Sequence, residues 1–303
     1  MAVCEGNATI CSSHRDFQIR LAYGLPYLPQ RTLFALTHHS TWSQHPLIGL
    51  PVSAGAESPG RRYRPGNALE LARGNPPLVG KIEQNLGIVA NIRGEWTLAL
   101  EHYRRSLTAY ETASDERGCA IAHHNLGMIH ADQKHWIEAG RHYQILQALA
   151  EEAGDRHLGG IVTMNLAEVR LAKGMLDEAQ VGAEKALEIF AEVEARRHKA
   201  GAHRILGMVF RERSQIALAE SHLRSALEIA ASSCAPLIQA DAAKELATLY
   251  QAEGKSTEAL DLLLLAQELY RQLSARADLA DVEDRIETLR LLPSSMWNFS
   301  RKD

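Results

Sequence analysis

The chain has 303 residues, 46% hydrophobic and 23% charged, which suffices for a buried core. Its net charge of −4 is uneven, because residues 1–66 hold six of the 33 basic but only three of the 37 acidic residues and the remainder is therefore acidic. An acidic body lacks the basic stripe that a phosphate backbone demands, and the apolar run around Leu260–Leu265 is far short of the ~20 residues that cross a bilayer. Nucleic-acid and membrane partners are both argued against.

Residues 1–66 stand apart from the rest of the chain. They hold six of the ten prolines, with His14, His38, His39 and His45 and no lysine. This composition reads as a disordered segment or an incorrectly assigned start. Its Arg-rich, acid-poor character also fits an organellar transit peptide, although without a clear amphipathic helix. No basic start followed by an apolar core signals secretion. Cys4, Cys11, Cys119 and Cys234 form no CxxC pair, so thiols in a reducing, cytoplasmic setting are expected.

From residue 67 the chain repeats. Leu86, Leu126, Leu166, Leu206 and Leu246 stand at one register position, and Ala99, Ala139, Ala179, Ala219 and Ala259 at another. Neither column contains an insertion, and a period of about 40 residues implies stacked copies of one folding unit. After each leucine comes a small residue: Gly87, Gly127, Ala167, Gly207 and Ala247. Tyr103, Tyr143, Ala183, Leu223 and Leu263 form a further column, as do Trp96, Trp136, Leu176, Ile216 and Ser256. Within each half-unit the apolar positions recur at i, i+3, i+4 and i+7, which places them on one helical face.

Each unit is therefore expected to be two amphipathic helices, the first pair near Leu78–Arg93 and Thr97–Ala113. Gly94-Glu95, Gly174-Met175 and Gly254-Lys255 supply left-handed helix exits. Ser114-Asp115 and Gly154-Asp155 are expected exit and N-cap pairs, and Pro236 fits a first helical turn. Before the first full unit, Ala68-Leu69-Glu70-Leu71-Ala72 matches the end of a second helix. After the fifth, Ala277–Leu291 reads as a polar-faced capping helix stopped by Pro293. Residues 292–303 form a flexible tail, whose Trp297 and Phe299 fold back on the last unit or dock in a neighbour.

The run Asn85-Leu86-Gly87, then Gly94-Glu95-Trp96-Thr97-Leu98-Ala99, then Tyr103, resembles the tetratricopeptide repeat. The family's usual unit is about 34 residues. The longer unit here, with Glu111, Glu151, Ala191, Ala231 and Arg271 where a closing proline is common, resembles the extended subclass of kinesin light chains and maltose-activator-like regulators. The resemblance covers about residues 67–291. It implies an all-α, right-handed helical-repeat solenoid of about five helix pairs plus a C-terminal capping helix, binding a protein or peptide partner in a concave groove.

Asn85, Asn125 and Asn165 stand in register just before their leucines, followed by Ile205 and Glu245. Asparagine is a mediocre helix former, so three in register need a reason. The resemblance places this position in the groove, where an amide can both donate to and accept from an extended backbone. A bond across to the next unit's helix is the competing structural role. The same carry-over gives Gln84, His124, Met164, Arg204 and Lys244 as neighbours, with Asn91 and Arg211 one turn on. Arg204, Arg211 and Lys244 would attract an acidic ligand. Met128, Met164 and Met208 offer adaptable apolar contact or simple packing.

His123, His124, His130, His135 and His142 crowd the second unit without the i, i+4 spacing of an HExxH metal site, and no metal or cofactor is expected. His203 aligns with His123. No phosphate-binding loop, Gly-x-Ser-x-Gly or cysteine with a recognisable base is present, and Glu101, Glu138 and Glu178 read as solvated helix faces. The expected function is a non-catalytic interaction scaffold. The alternative is the sensor half of a larger signalling or transcriptional regulator. An apolar array end would also allow self-association.

Overall fold

The structure, a computed structural model, describes residues 69–291 apart from 71, 93 and 274. Eleven helices run in chain order among the described residues: α1 (Pro76–Ile92), α2 (Trp96–Thr112), α3 (Glu116–Asp132), α4 (Trp136–Glu152), α5 (Arg156–Ala172), α6 (Leu176–Glu192), α7 (Arg196–Glu212), α8 (Ile216–Ser232), α9 (Pro236–Ala252), α10 (Ser256–Leu273) and α11 (Arg276–Leu291). Each starts half a repeat period after the one before. Five pairs, α1–α2 to α9–α10, and the terminal α11 make a helical-repeat solenoid. Residues 1–66, the tail 292–303 and Pro293, Trp297 and Phe299 within it lie outside the described residues.

The even cadence from α1 to α10 comes from one recurring linker design. Between helices the middle linker residue is left-handed: Gly94, Ser114, Lys134, Gly154, Gly174, Glu194, Ser214, Cys234 and Gly254 all have positive φ. Reversal there lets two N–H groups bond back to the orphan carbonyls of the helix end. At the end of α2, Ser114 N–H donates to the Glu111 carbonyl at 3.0 Å and Asp115 N–H to the Tyr110 carbonyl at 2.9 Å. At the end of α6 the corresponding long-span bond runs from Ala195 to Phe190, and at the end of α9 from Lys255 to Tyr250. Asp115 and Asp155 cap the following helices, each accepting at 2.9 Å from the N–H three residues on. Pro236 occupies the first turn of α9.

Packing follows the columns. The alanines 99, 139, 179, 219 and 259 are fully buried, as are Leu126, Leu206 and Leu246. Leu86 is only half-buried, because its unit lies at the N-terminal end of the described array. There Leu69 and Ala72 pack with Leu78, Val79 and Ile82 as the remnant of a second helix. The tryptophan column begins the second helices, and Trp96 is 41% exposed.

Small and large residues are matched across each helix pair. A Cβ on Gly87 would meet the Tyr103 ring at 2.6 Å, one on Gly127 the Tyr143 ring at 2.4 Å, and one on Gly207 Leu223 Cγ at 2.5 Å. In the third unit, where the second helix carries Ala183, the first carries Ala167. At the C-terminal end Val282, Ile286 and Leu289 of α11 are buried in the same core as Leu263 and Tyr270. Its other side carries exposed Asp281, Glu283, Asp284 and Glu287, as the end of a solenoid requires.

Candidate functional site

Successive first helices pack on one another, α1 on α3, α5 on α7 and α7 on α9, to a degree that no two second helices reach among the described residues. The array is therefore tighter along its first-helix side, which makes that side the inner face. All the residues proposed from sequence lie on first helices: Gln84 and Asn85 on α1, His124 and Asn125 on α3, Met164 and Asn165 on α5, Arg204 and Arg211 on α7, and Lys244 on α9.

The asparagine column has a distinctive state. Asn85 and Asn165 are half-buried and Asn125 is buried. Asn85 Oδ1, Asn125 Nδ2 and Asn165 Nδ2 are shielded from water and have no hydrogen-bond partner. The cross-unit bond that would make these side chains purely structural is therefore not formed by those atoms. Leaving a buried amide atom unpaired costs about 1–3 kcal/mol.

The neighbouring column is engaged differently. Gln84 is 1% exposed and its Oε1 accepts from the Tyr110 hydroxyl at 2.9 Å, tying α1 to α2. His124 is buried. Met164 lies against Gly201 of the next first helix, where an added Cβ would meet its sulfur at 2.9 Å. Arg204 donates to Glu168 at 2.8 Å, Arg211 pairs with Glu245, and Lys244 donates to Asp278 at 2.8 Å. These ion pairs form a ladder across the seams from α5 to α11, continued by Arg285 donating to Thr248 at 3.0 Å. Burial works against the charge on Arg204, but Glu168, Asp241 and Glu245 more than offset it and its pKa is raised. Arg211 behaves likewise beside Glu245 and Glu212. The cations read from sequence as a lure for an acidic ligand are thus already matched by the chain's own carboxylates.

The half-period cadence brings together pairs that no single-helix motif reveals. His123 and His142 have their Nδ1 atoms 3.0 Å apart, and His203 and His222 repeat the distance two units on. Glu83 and His102 occupy the equivalent positions of the first unit, 2.6 Å apart. His130 stacks on His142 with ring centroids 5.6 Å apart. No group of three or more His, Cys, Asp or Glu side chains is placed to hold a metal among the described residues. An open depression of about 650 Å³ between α1 and α2 is lined by Val79, Leu100, Arg104 and Thr108 and includes none of the sequence-proposed residues. No helix among the described residues is long and apolar enough to cross a membrane.

Comparison with known proteins agrees with this architecture. Residues 160–232, most of α5 to the end of α8, match the family model for the tetratricopeptide repeat. A thermophilic tetratricopeptide-repeat protein of Thermus thermophilus superposes with a TM-score of 0.54 at 22% identity, over 70% of this chain and 100% of its own. The apo form of RapI superposes with a TM-score of 0.54 at 12% identity, over 75% of this chain and 89% of its own. A Rap protein complexed with competence and sporulation factor gives 0.53 at 14% identity, over 76% and 68%. At these identities the likeness establishes the fold. No curated protein matches the chain by sequence.

Proposed function

We propose that this chain is a non-catalytic, cytoplasmic interaction scaffold that holds an extended peptide segment of a protein partner along its first-helix face. The observation that carries the reading is the asparagine column: three in-register amides, each with one atom that no protein group satisfies. An amide can turn over and offer either a donor or an acceptor, which suits it to the alternating N–H and C=O groups of an extended backbone. Asn85 and Asn165, half-buried, are the direct contacts in this reading, with buried Asn125 recessed between them. Gln84, His124, Met164, Arg204, Arg211 and Lys244 would flank the segment and select its side chains, the last three while remaining in their ion pairs.

The long repeat unit supports kinship with the extended subclass found in kinesin light chains and maltose-activator-like regulators. The alternative role, sensor half of a larger regulator, would use the same face. The Rap protein complexed with competence and sporulation factor has this fold.

Affinity capture with mass spectrometry, using the full chain beside an Asn85→Ala/Asn165→Ala variant, tests the proposal. Two lost hydrogen bonds of about 1 kcal/mol each weaken a captured partner roughly thirtyfold. The melting temperature should stay nearly unchanged, because both residues are only half-buried and one atom of each amide makes no bond within the protein. A large fall in melting temperature with unchanged capture would make the column structural.

A further inference from the structure

We propose that units two and four are acid-responsive joints, in which a second proton on the His123–His142 or His203–His222 pair loosens the contact between the two helices of its unit. Each pair links a first helix to its second, α3 to α4 and α7 to α8, with Nδ1 atoms 3.0 Å apart. At that distance one ring nitrogen donates and the other accepts. A neutral or singly protonated pair can do this, but two imidazolium rings carry only donors. The second proton therefore breaks the bond and sets two positive charges in contact.

The surroundings offer little compensation. In unit two, His142 faces His123, His130 and Arg104 of α2, and burial followed by these charges holds its pKa down at about 4. Burial lowers His123 and His130 as well; Glu111 opposes the shift at the first and Glu138 at the second, where His135 and Arg104 add to it. In unit four, burial, His222 and Lys199 hold His203 at about 4. Burial also lowers His222, against Glu184 of α6, and the Phe210 ring lies 5.2 Å from it. The ordinary value is about 6.5.

Because the folded units bind fewer protons than the opened ones, their stability is full above about pH 6.5 and falls as pH drops toward 4. One histidine at about 4 when folded and about 6.5 when opened raises the opening equilibrium roughly thirtyfold between about pH 7.5 and about pH 5. The molecule carries its own controls. The equivalent positions are Glu83 and His102 in unit one, Thr163 and Gly182 in unit three, and Ala243 and Leu262 in unit five, none of them a histidine pair.

Hydrogen exchange of the full chain at pH 7.5 and pH 5.0, corrected for intrinsic rates, provides the test. The expected result is a protection loss of roughly thirtyfold in α3–α4 and α7–α8, with α9–α10, which contain no histidine, losing much less. In a His142→Gln/His222→Gln variant, which leaves each pair one titrating ring, the acid-specific loss should fall several-fold in both units. Should that variant fold poorly, His123→Ala/His142→Leu/His203→Ala/His222→Leu copies the pair that unit five already uses and should show the same reduced response. Acid sensitivity in α9–α10 equal to that in the histidine units, or an undiminished loss in a folded variant, would overturn the proposal.

Discussion

At the level of single residues, the array is specified by complementary volumes. A glycine on the first helix answers a tyrosine or leucine on the second, as at Gly87–Tyr103, Gly127–Tyr143 and Gly207–Leu223, and Gly160 likewise lies under Phe190. Here the absent side chain matters because backbone and ring approach each other too closely for a Cβ. Gly127→Ala would drive its methyl into a ring 2.4 Å away whose partners are packed around it. Overpacking of this kind costs about 1–3 kcal/mol, which should appear as a lowered denaturation midpoint with an unchanged slope. A neutral effect would mean that Tyr143 can swing clear. The alternation was visible in sequence as two columns, always small and mostly large, but their contact had to be supplied by the fold.

At the level of helices and turns, one linker motif recurs throughout the described array with unequal residues. The left-handed position is glycine at 94, 154, 174 and 254, but Ser114, Lys134, Glu194, Ser214 and Cys234 take it with a side chain. That conformation costs a non-glycine residue about 1–2 kcal/mol, partly returned through a stiffer unfolded chain. Glu194→Gly, at an exposed turn whose φ is 53°, should therefore stabilise the protein by up to about 1 kcal/mol and raise its melting temperature. A lower melting temperature would show that the Glu194 side chain contributes more than its backbone costs. The glycine turns were legible in sequence, as was Ser114 beside its capping Asp115; Lys134, Glu194, Ser214 and Cys234 were not, because their residues carry no left-handed signature. A metal-site motif on a single helix spaces histidines one turn apart, and the second unit has no such spacing. The pairs formed instead 19 residues apart, across the helices of one unit, and the recurrence of that spacing at His123–His142 and His203–His222 was the available signal.

At the level of the whole molecule, the architecture was the most legible feature. A constant period with no insertions predicted five helix pairs, and the first pair, expected near Leu78–Arg93 and Thr97–Ala113, is Pro76–Ile92 and Trp96–Thr112. The seams between units were not legible. A repeat grid compares one column in successive units, whereas Arg204–Glu168, Arg211–Glu245 and Lys244–Asp278 join different columns of neighbouring units. Cations that look available in a column are therefore already neutralised in three dimensions, whereas the amides of the N-terminal half keep atoms that no group of the chain satisfies. In the function proposed above, recognition belongs to the first-helix face while the second helices buttress it. Photo-crosslinking tests this most directly, with p-benzoylphenylalanine replacing half-buried Met128 on the first helix α3 or Ile137, 59% exposed, on the second helix α4. The captured partner should be crosslinked from position 128 and not from 137. Crosslinking from 137 alone would place recognition on the outer face and contradict the proposal.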